Sequence, residues 1–270
     1  MKNIIFIPAV ISDKGEKKLR HSPLITKIFD YSIKSWKHFA QKYNCEVVVL
    51  DRPILNADIT SMAWQRYYVL DLLDQSNIKY NQVLIVDADT IVHPDCPNFF
   101  EMTENKYTGV HDSVVYEWVM RSTECYSKLL FNNFKLNVWN YINGGFQIIN
   151  SSHKKHIDKF NQFYIENKEK IYSIESQIKL GTDQTPMNFF LQINDIDVKI
   201  LPYEFNMTGL NLMDGLSEDL MFTDFGWIYH FNGIPDTSYG TKVEYYMNKT
   251  YNKLYVNDIT KLYMHEQIPT

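Results

Sequence analysis

Two aspartates follow directly on a strongly apolar stretch of the chain. Val83 to Val86 is an unbroken run of apolar, mostly β-branched residues, and Asp87 and Asp89 come immediately after it. Such a run is typical of a central strand covered on both faces. Residues two apart in an extended chain point the same way, so both carboxylates are expected just past the carboxyl end of that strand, where open α/β sheets bind ligands. Converging carboxylates repel each other unless a cation lies between them, so the pattern predicts a divalent metal that holds an anion such as a nucleotide diphosphate.

The same triplet has two other interpretations that the sequence leaves open. It could be no more than a polar turn after a strand. It could also supply the nucleophile and the acid/base of a haloacid-dehalogenase-like phosphatase, which places two aspartates at this spacing. Those enzymes usually carry the pair in their first strand, with Thr or Val two residues beyond the second Asp. Here the pair comes late and Ile91 stands at that position, which disfavours the phosphatase.

An arginine interrupts the apolar stripe of the helix predicted over Ser61–Leu73. Arg66 lies four residues after Met62 and three before Val69, on the face that should be buried. An arginine that faces the core needs an anionic partner. The alternative is that its aliphatic stem packs while the guanidinium reaches water.

An aspartate stands at the start of a second predicted helix. Asp183 shares a face with Met187 and Leu191, so its carboxylate is expected to point inward. The alternative is a plain interaction with the helix dipole. If both charges point inward, Asp183 and Arg66 should face one cleft and pair there.

Two weaker signals come later in the chain. Asn143-Gly144-Gly145 precedes an apolar run, and glycines at such a place let the backbone approach a ligand closely, although a tight turn is an equal explanation. His230 ends another apolar run, and a histidine there is more often structural than a ligand. It gains interest with Asp87 and Asp89, because a neutral imidazole can complete a carboxylate-rich Mn²⁺ site.

The elements that must position these residues alternate between strands and helices. Strands are predicted at Ile4–Ile7, Glu46–Leu50, Val83–Val86, Lys106–Val110, Gly145–Ile149 and Trp227–Tyr229, and helices at Leu24–Tyr43, Ser61–Leu73, His153–Lys168, Asp183–Leu191 and parts of Lys242–Lys261. The βαβαβ order predicts an α/β, Rossmann-like, doubly wound sheet. With no repeat or low-complexity linker, residues 1–270 are expected to form one domain with a C-terminal helical appendage at about 235–270.

Composition excludes several classes of function. The 270 residues carry a net charge of −5, and the lack of a long basic run argues against nucleic acid or an anionic membrane as partner. No stretch is long enough to span a bilayer. Three cysteines without metal spacing suggest a reducing compartment, so we expect a cytoplasmic location.

Together these segments resemble retaining GT-A glycosyltransferases of the glycogenin and lipooligosaccharide galactosyltransferase type, family 8. VLIVDADTIV is similar to the family's strand with its DxD motif, and RYYVLDLL to the basic residue and helix before it. INGGFQIIN, GTDQTPMNFF and HFNG resemble three further motifs, in the right order. The five segments span roughly residues 60–235, and each is weak alone.

The resemblance implies a role for each matched position. Asp87, Asp89 and His230 would hold Mn²⁺, or Mg²⁺, on the diphosphate of the donor. Asp183 and Gln184 would act at the reacting sugar carbon. The remaining donor contacts would come from Pro8, Ala9, Val10, Arg66, Ala88, Asp112, Asn143, Gly145 and Gly233. The family's lysine after HxxG would fall at Asp236, so Lys242 is the candidate replacement.

The sequence thus predicts a metal-dependent transferase that moves a hexose from a nucleotide-sugar, with UDP as the expected nucleotide, to a hydroxyl group with retention. The acceptor would be a glycan, a lipid-linked molecule or a protein. The alternatives are the phosphatase that uses Asp87 and Asp89, and a non-catalytic GT-A-like protein that binds glycans.

Overall fold

The computed structural model of the chain describes residues 1–9, 29–56, 60–112, 115–178, 183–212, 219–234 and 241–256. Eight strands lie in these ranges: β1 Lys2–Pro8, β2 Glu46–Leu50, β3 Tyr80–Val86, β4 Thr90–Val92, β5 Tyr107–His111, β6 Ile142–Asn150, β7 Val198–Leu201 and β8 Ile228–His230. The α-helices are α1 Asp30–Lys42, α2 Val69–Gln75, α3 Tyr116–Leu129, α4 Lys154–Ile178, α5 Gln184–Ile193 and α6 Thr241–Tyr255.

Six strands form one mixed sheet in the order β2-β1-β3-β6-β5-β7. β2, β1 and β3 are parallel, as the βαβαβ pattern predicts. β6 runs antiparallel to both of its neighbours, and β7 is parallel to β5. The antiparallel β6 brings its first residues to the sheet edge at which β3 ends, so Val86 lies opposite Phe146. Asn143 and Gly145 therefore lie beside the Asp87 segment.

Both faces of the sheet are covered, which confirms the doubly wound α/β class. Ile4, Phe6, Val83 and Ile85 pack on one side against helices α2, α4 and α5. The alternate residues of the same strands pack on the other side against Trp36 and Phe39 of α1. Successive strand residues point to opposite faces, so two covered faces require the continuous apolar run seen in β3.

The helix predicted over Ser61–Leu73 is two elements. Met62–Tyr68 is a 3₁₀ segment, and the α-helix begins only at Val69. In a 3₁₀ segment, residues three apart share a face. Trp64 and Tyr67 are therefore both buried and pack on α4, where the ring of Trp64 stacks on that of Tyr164 at 4.1 Å. Arg66 occupies a neighbouring face, which directs it toward the end of β3.

A two-stranded antiparallel ribbon, β4 with β8, lies beside the main sheet. It is backed by a separate apolar cluster that includes Ile91, Tyr229 and Met247 of α6. Helix α6 thus packs under the ribbon. Among the residues described, no helix combines the length and the apolar character that crossing a membrane requires.

Candidate active site

The segment after β3 is held in place by its own backbone and by α1. The hydroxyl of Thr90 donates to the carbonyl of Asp87 at 2.7 Å, and the indole of Trp36 donates to that hydroxyl at 2.9 Å. The amide of Asp87 donates to the carbonyl of Gly145 at 3.0 Å. The turn that carries the two carboxylates is therefore pinned on both sides, and their positions are fixed before any ligand binds.

The β4–β8 ribbon brings His230 to the same place. Its register sets Thr90 opposite His230, and the amide of Phe231 donates to the carbonyl of Asp89 at 2.9 Å. His230 Nε2 lies 3.2 Å from Asp89 Oδ1 and 3.6 Å from Asp87 Oδ2. The three ligand atoms lie within 4.8 Å of one another, so the set predicted from the sequence is assembled.

The donor atoms and their surroundings suit a divalent cation. Carboxylate oxygens are ligands for Mn²⁺ and Mg²⁺, and an imidazole nitrogen favours the transition metal of the two. Gly145 gives the set its space, because a Cβ there would lie 2.4 Å from Cε1 of His230 and 2.6 Å from Oδ2 of Asp87. The other ring nitrogen, Nδ1 of His230, is buried with no hydrogen-bond partner among the described residues, so packing orients this ring.

Arg66 and Asp183 complete this group, and they do face one cleft as expected. Arg66 bonds Asp87 Oδ1 at 2.8 Å, lies 3.4 Å from Asp183 Oδ2 and donates to the Gly144 carbonyl at 2.8 Å. The hydroxyl of Tyr67 donates to the same oxygen of Asp183 at 3.2 Å. We call Arg66, Asp87, Asp89, Asp183 and His230 the charged cluster.

Burial and neighbouring charges oppose each other in the charged cluster. Burial raises the pKa of Asp87, and the shift stays upward although Arg66 and His230 lower it. Burial also acts to raise the pKa of Asp89, but His230, a backbone hydrogen bond and Arg66 together lower it below its ordinary value. Burial disfavours protonated His230, yet Asp89 and Asp87 raise its pKa. A divalent cation bound here would compete with that proton for the imidazole.

A second group of polar side chains lies next to it, on the far side of Gly145. The carboxylate of Asp112 accepts from Gln184 Nε2 at 2.7 Å and from Asn143 Nδ2 at 3.2 Å. Asn143 Oδ1 accepts from the Gly145 amide at 2.9 Å and from Asn206 Nδ2 at 3.0 Å. We call Asp112, Asn143, Gln184 and Asn206 the amide cluster.

Helix α5 serves both clusters because it is bound to β6. Asn188 accepts from the amide of Ile142 and donates to its carbonyl, both at 2.8 Å. These two hydrogen bonds tie the first half of the helix to β6. At the start of the helix, Asp183 points into the charged cluster and Gln184 into the amide cluster. Gln184 also accepts from the amide of Gly144 at 2.8 Å.

The remaining predicted donor residues are spread around these clusters. Pro8 ends β1, and Ala9 follows it. The side chain of Ala88 is buried in the core, so only its backbone is available to a ligand. Gly233 follows β8 with φ +66°, which favours glycine, and Lys242 lies in the first turn of α6. Val10 and Asp236 lie outside the described residues.

Sequence reasoning missed three residues that hold the site. Tyr67 orients Asp183, and Asn206 supports Asn143. Gln147 donates to the Gly144 carbonyl at 2.7 Å and accepts from Tyr107. Gln147 carried a signal, since a fully buried amide inside a strand must be hydrogen-bonded. Asn206 also opens an Asn-Met-Thr glycosylation sequence, but its 1% exposure makes it inaccessible to modification in the folded chain.

Solved structures show which known proteins share this fold. A glycosyltransferase involved in the glycosylation of the major capsid of PBCV-1 is similar with a TM-score of 0.57 and 8% identity, over 92% of this chain and 99% of that one. The apo structure of the bifunctional glycosyltransferase WbbM is similar with a TM-score of 0.52 and 13% identity, over 87% of this chain but only 46% of that one.

Comparisons of sequence, by contrast, found no match: no protein-family model matches the chain, and no curated protein matches it. Membership of family 8 therefore stays a prediction. At these identities the structural likeness concerns the fold. This chain has the GT-A-like α/β fold of glycosyltransferases, with a carboxylate–imidazole triad at the carboxyl edge of its sheet.

Proposed function

We propose that this chain is a metal-dependent glycosyltransferase that moves a hexose from a nucleotide-sugar, a UDP-hexose, to a hydroxyl group with retention. The observation that carries the proposal is the triad of Asp87, Asp89 and His230, whose ligand atoms lie within 4.8 Å at the end of β3. The combination of a glycosyltransferase-like fold with this triad at the carboxyl edge of the sheet supports glycosyl transfer over the alternatives.

The metal would be held by these three side chains and would be Mn²⁺ or Mg²⁺. When bound, it would neutralise the charge that builds on the leaving diphosphate, a Lewis-acid effect of the kind that metal ions supply in many enzymes. Arg66 lies against Asp87, so a guanidinium is also present at this end of the cleft.

The amide cluster would hold the sugar of the donor. Its amide and carboxylate groups match the hydroxyl groups of a hexose, since each offers a donor or an acceptor at a fixed place. Asn143 and Gln184 are tied to Asp112 and to the backbone of the two glycines, so they would meet the sugar without rearranging. A preorganised site of this kind loses little entropy on binding.

In the transfer itself, the acceptor oxygen forms a bond to C1 of the sugar while the bond from C1 to the diphosphate oxygen breaks. The electron pair goes to the diphosphate, and the acceptor proton passes to that departing oxygen on the same face, which retains the configuration. Asp183 would stabilise the positive charge that develops at C1. Its carboxylate is held by Tyr67 and Arg66, so it is fixed in direction.

The test is donor hydrolysis with and without metal. Purified protein is incubated with UDP-glucose or UDP-galactose in Mn²⁺, in Mg²⁺ and in EDTA, and free UDP is measured. Hydrolysis that needs the metal and is lost in Asp89→Ala supports the proposal. Release of phosphate from a phosphomonoester, without hydrolysis of the UDP-sugar, would favour the phosphatase instead, and sugar binding without turnover would favour a glycan-binding protein.

Retention is tested separately by NMR of the anomer formed from the donor. An inverted product would be consistent with a transferase but would contradict the proposed retention.

We also propose that residues 1–270 act as one domain.

A further inference from the structure

Trp139 is the most exposed aromatic side chain among the residues described. It is 75% exposed, whereas Trp36 and Trp64 are almost completely buried. Burying a large aromatic side chain contributes more to stability than burying most others, so one held out in water contributes little to the fold. The core therefore uses little of this side chain, and most of its surface is accessible to a ligand.

The segment that carries Trp139 is fixed from two sides. Gln192 of α5 accepts from the amide of Asn137 at 2.8 Å and donates to its carbonyl at 2.9 Å. His111 of β5 lies with Nε2 at 2.9 Å from the carbonyl of Val138. The amide of Trp139 donates to the side chain of Asn137 at 3.1 Å. The indole is thus held in place by a pinned backbone and does not project from a loose loop.

Trp139 also borders the amide cluster. His111 precedes Asp112, and its ring lies nearly parallel to that of Trp139, at 16° with 6.4 Å between centroids. The amide of Asp112 donates to the carbonyl of Tyr141 at 3.0 Å, and the hydroxyl of Tyr141 accepts from Gln184 at 3.3 Å. In the sheet order β3-β6-β5, the metal triad is at β3 and Trp139 adjoins β5. The segment that carries Trp139 therefore adjoins the amide cluster on the β5 side, away from β3.

We propose that Trp139 is the platform on which the acceptor stacks, and that the acceptor is a saccharide. The inference rests on the proposed function, which puts the donor sugar at the amide cluster. A pyranose ring has a face of C–H groups, which are attracted to the electron-rich face of an indole, and a rim of hydroxyl groups. The rim would meet Asp112, which directly follows His111 in the chain and is partly exposed. A flat aromatic face next to a hydrogen-bonding carboxylate fits a sugar better than an acyl chain or a peptide.

Binding is tested without any donor. The chain has five tryptophans, so protein labelled with 5-fluorotryptophan gives few ¹⁹F lines, and Trp139→Phe identifies the line of Trp139. Lactose, maltose and cellobiose are titrated to tens of millimolar, alongside a serine-containing peptide and n-octanol. A saturable shift of the Trp139 line with at least one disaccharide is the expected result. A shift with the peptide or the alcohol alone would overturn the saccharide assignment, and no shift with any probe would overturn the site.

Transfer kinetics provide the second test. With a disaccharide that binds, Trp139→Ala should raise the acceptor KM about tenfold, which is the scale of one lost aromatic contact. Trp139→Phe keeps an aromatic ring, so its acceptor KM should stay close to the wild-type value. Phe225→Ala is the matched control: Phe225 is 65% exposed and precedes β8, at the end of that strand farther from His230. It should leave the acceptor KM at the wild-type value.

The two proposals fail in different ways. If wild-type protein does not hydrolyse any UDP-hexose with Mn²⁺, the proposed function fails. If it does, but Trp139→Ala keeps the wild-type acceptor KM, only the role of Trp139 fails.

Discussion

The charged cluster and the amide cluster adjoin each other on either side of Gly145, yet they are built in opposite ways. In the charged cluster three carboxylates face one guanidinium and one imidazole, and Asp87 and Asp89 are each about a quarter exposed. In the amide cluster a single carboxylate, Asp112, accepts from two amides, and Asn143 and Gln184 bond each other as well.

The two clusters are therefore organised for ligand binding in two different ways. In the amide cluster the side chains of Asp112, Asn143 and Gln184 bond one another, so they offer a preformed surface. The charged cluster has an excess of negative charge at short range, which a divalent cation would relieve. We therefore expect changes in the charged cluster to act on metal binding and chemistry, and changes in the amide cluster to act on stability and sugar binding.

The largest effect is expected from Asp89→Asn. The change keeps the shape of the side chain but removes one of the anionic ligands, so Mn²⁺ binding followed by electron paramagnetic resonance should be lost. The rate of donor hydrolysis should fall by roughly three orders of magnitude, which is the loss expected when a group that stabilises transition-state charge is removed. Asp112→Asn is the matched control in the amide cluster and should bind Mn²⁺ like the wild type. Equal loss of Mn²⁺ in both variants would erase the distinction between the clusters.

Asp183→Asn should come next, with kcat reduced by roughly two orders of magnitude. The carboxylate interacts mainly with charge that is larger in the transition state than in the bound donor, so the donor Kd should change far less. The measurements are kcat with a working acceptor and Kd by calorimetry. A variant whose whole defect lies in Kd would make Asp183 a binding group.

The paired glycines give a smaller and sharper comparison. In Gly145→Ala the new Cβ would meet His230 and Asp87 at under 3 Å, so one of them must move, and the Kd for Mn²⁺ should rise about tenfold or more. In Gly144→Ala the nearest atoms belong to the side chain of Gln184 at 3.3 Å or more, which can adjust. Its Mn²⁺ affinity should stay within about twofold of the wild type. Calorimetry with MnCl₂ decides, and a reversed order would mean that the triad does not bind the metal.

The smallest effect is expected from Asn206→Ala, in the amide cluster. It removes one of the two donors to Asn143 Oδ1, the other being the amide of Gly145, and should lower the free energy of unfolding by about 1–2 kcal/mol, as for one buried hydrogen bond. Asn194→Ala, at an exposed amide that donates to the carbonyl of Phe190, serves as the control. Urea unfolding with both variants tests this, and a loss of Mn²⁺ affinity in Asn206→Ala would contradict it.

The sequence predicted the charged cluster better than the amide cluster for a physical reason. Asp87, Asp89, Arg66 and Asp183 stand out because each is a charge on or beside an apolar pattern, and a charge there needs a partner. Neutral amides leave a weaker signal, such as that of Gln147 inside its apolar strand. Asn206 is defined by a contact with Asn143, 63 positions away, that no local pattern contains.

The fold, too, was predictable where local sequence patterns decide the structure and not where distant contacts do. The strands β1 to β3 and their helices were predicted from apolar periodicity, and their parallel pairing is confirmed. The 3₁₀ winding of Met62–Tyr68 was not predicted, because it depends on Gln65, whose side chain bonds the backbone of Ile54, Leu55 and Thr60. These bonds come from a preceding loop, and helix propensity carries no information about them.

The ribbon of β4 and β8 has a consequence for how the protein is made. More than half of the chain separates Asp89 from His230, so on the ribosome the two carboxylates emerge long before their imidazole. Contacts between segments so far apart form late in folding, because a long loop must close first. The triad therefore forms only once β8 has paired with β4, and Mn²⁺ binding would report that pairing.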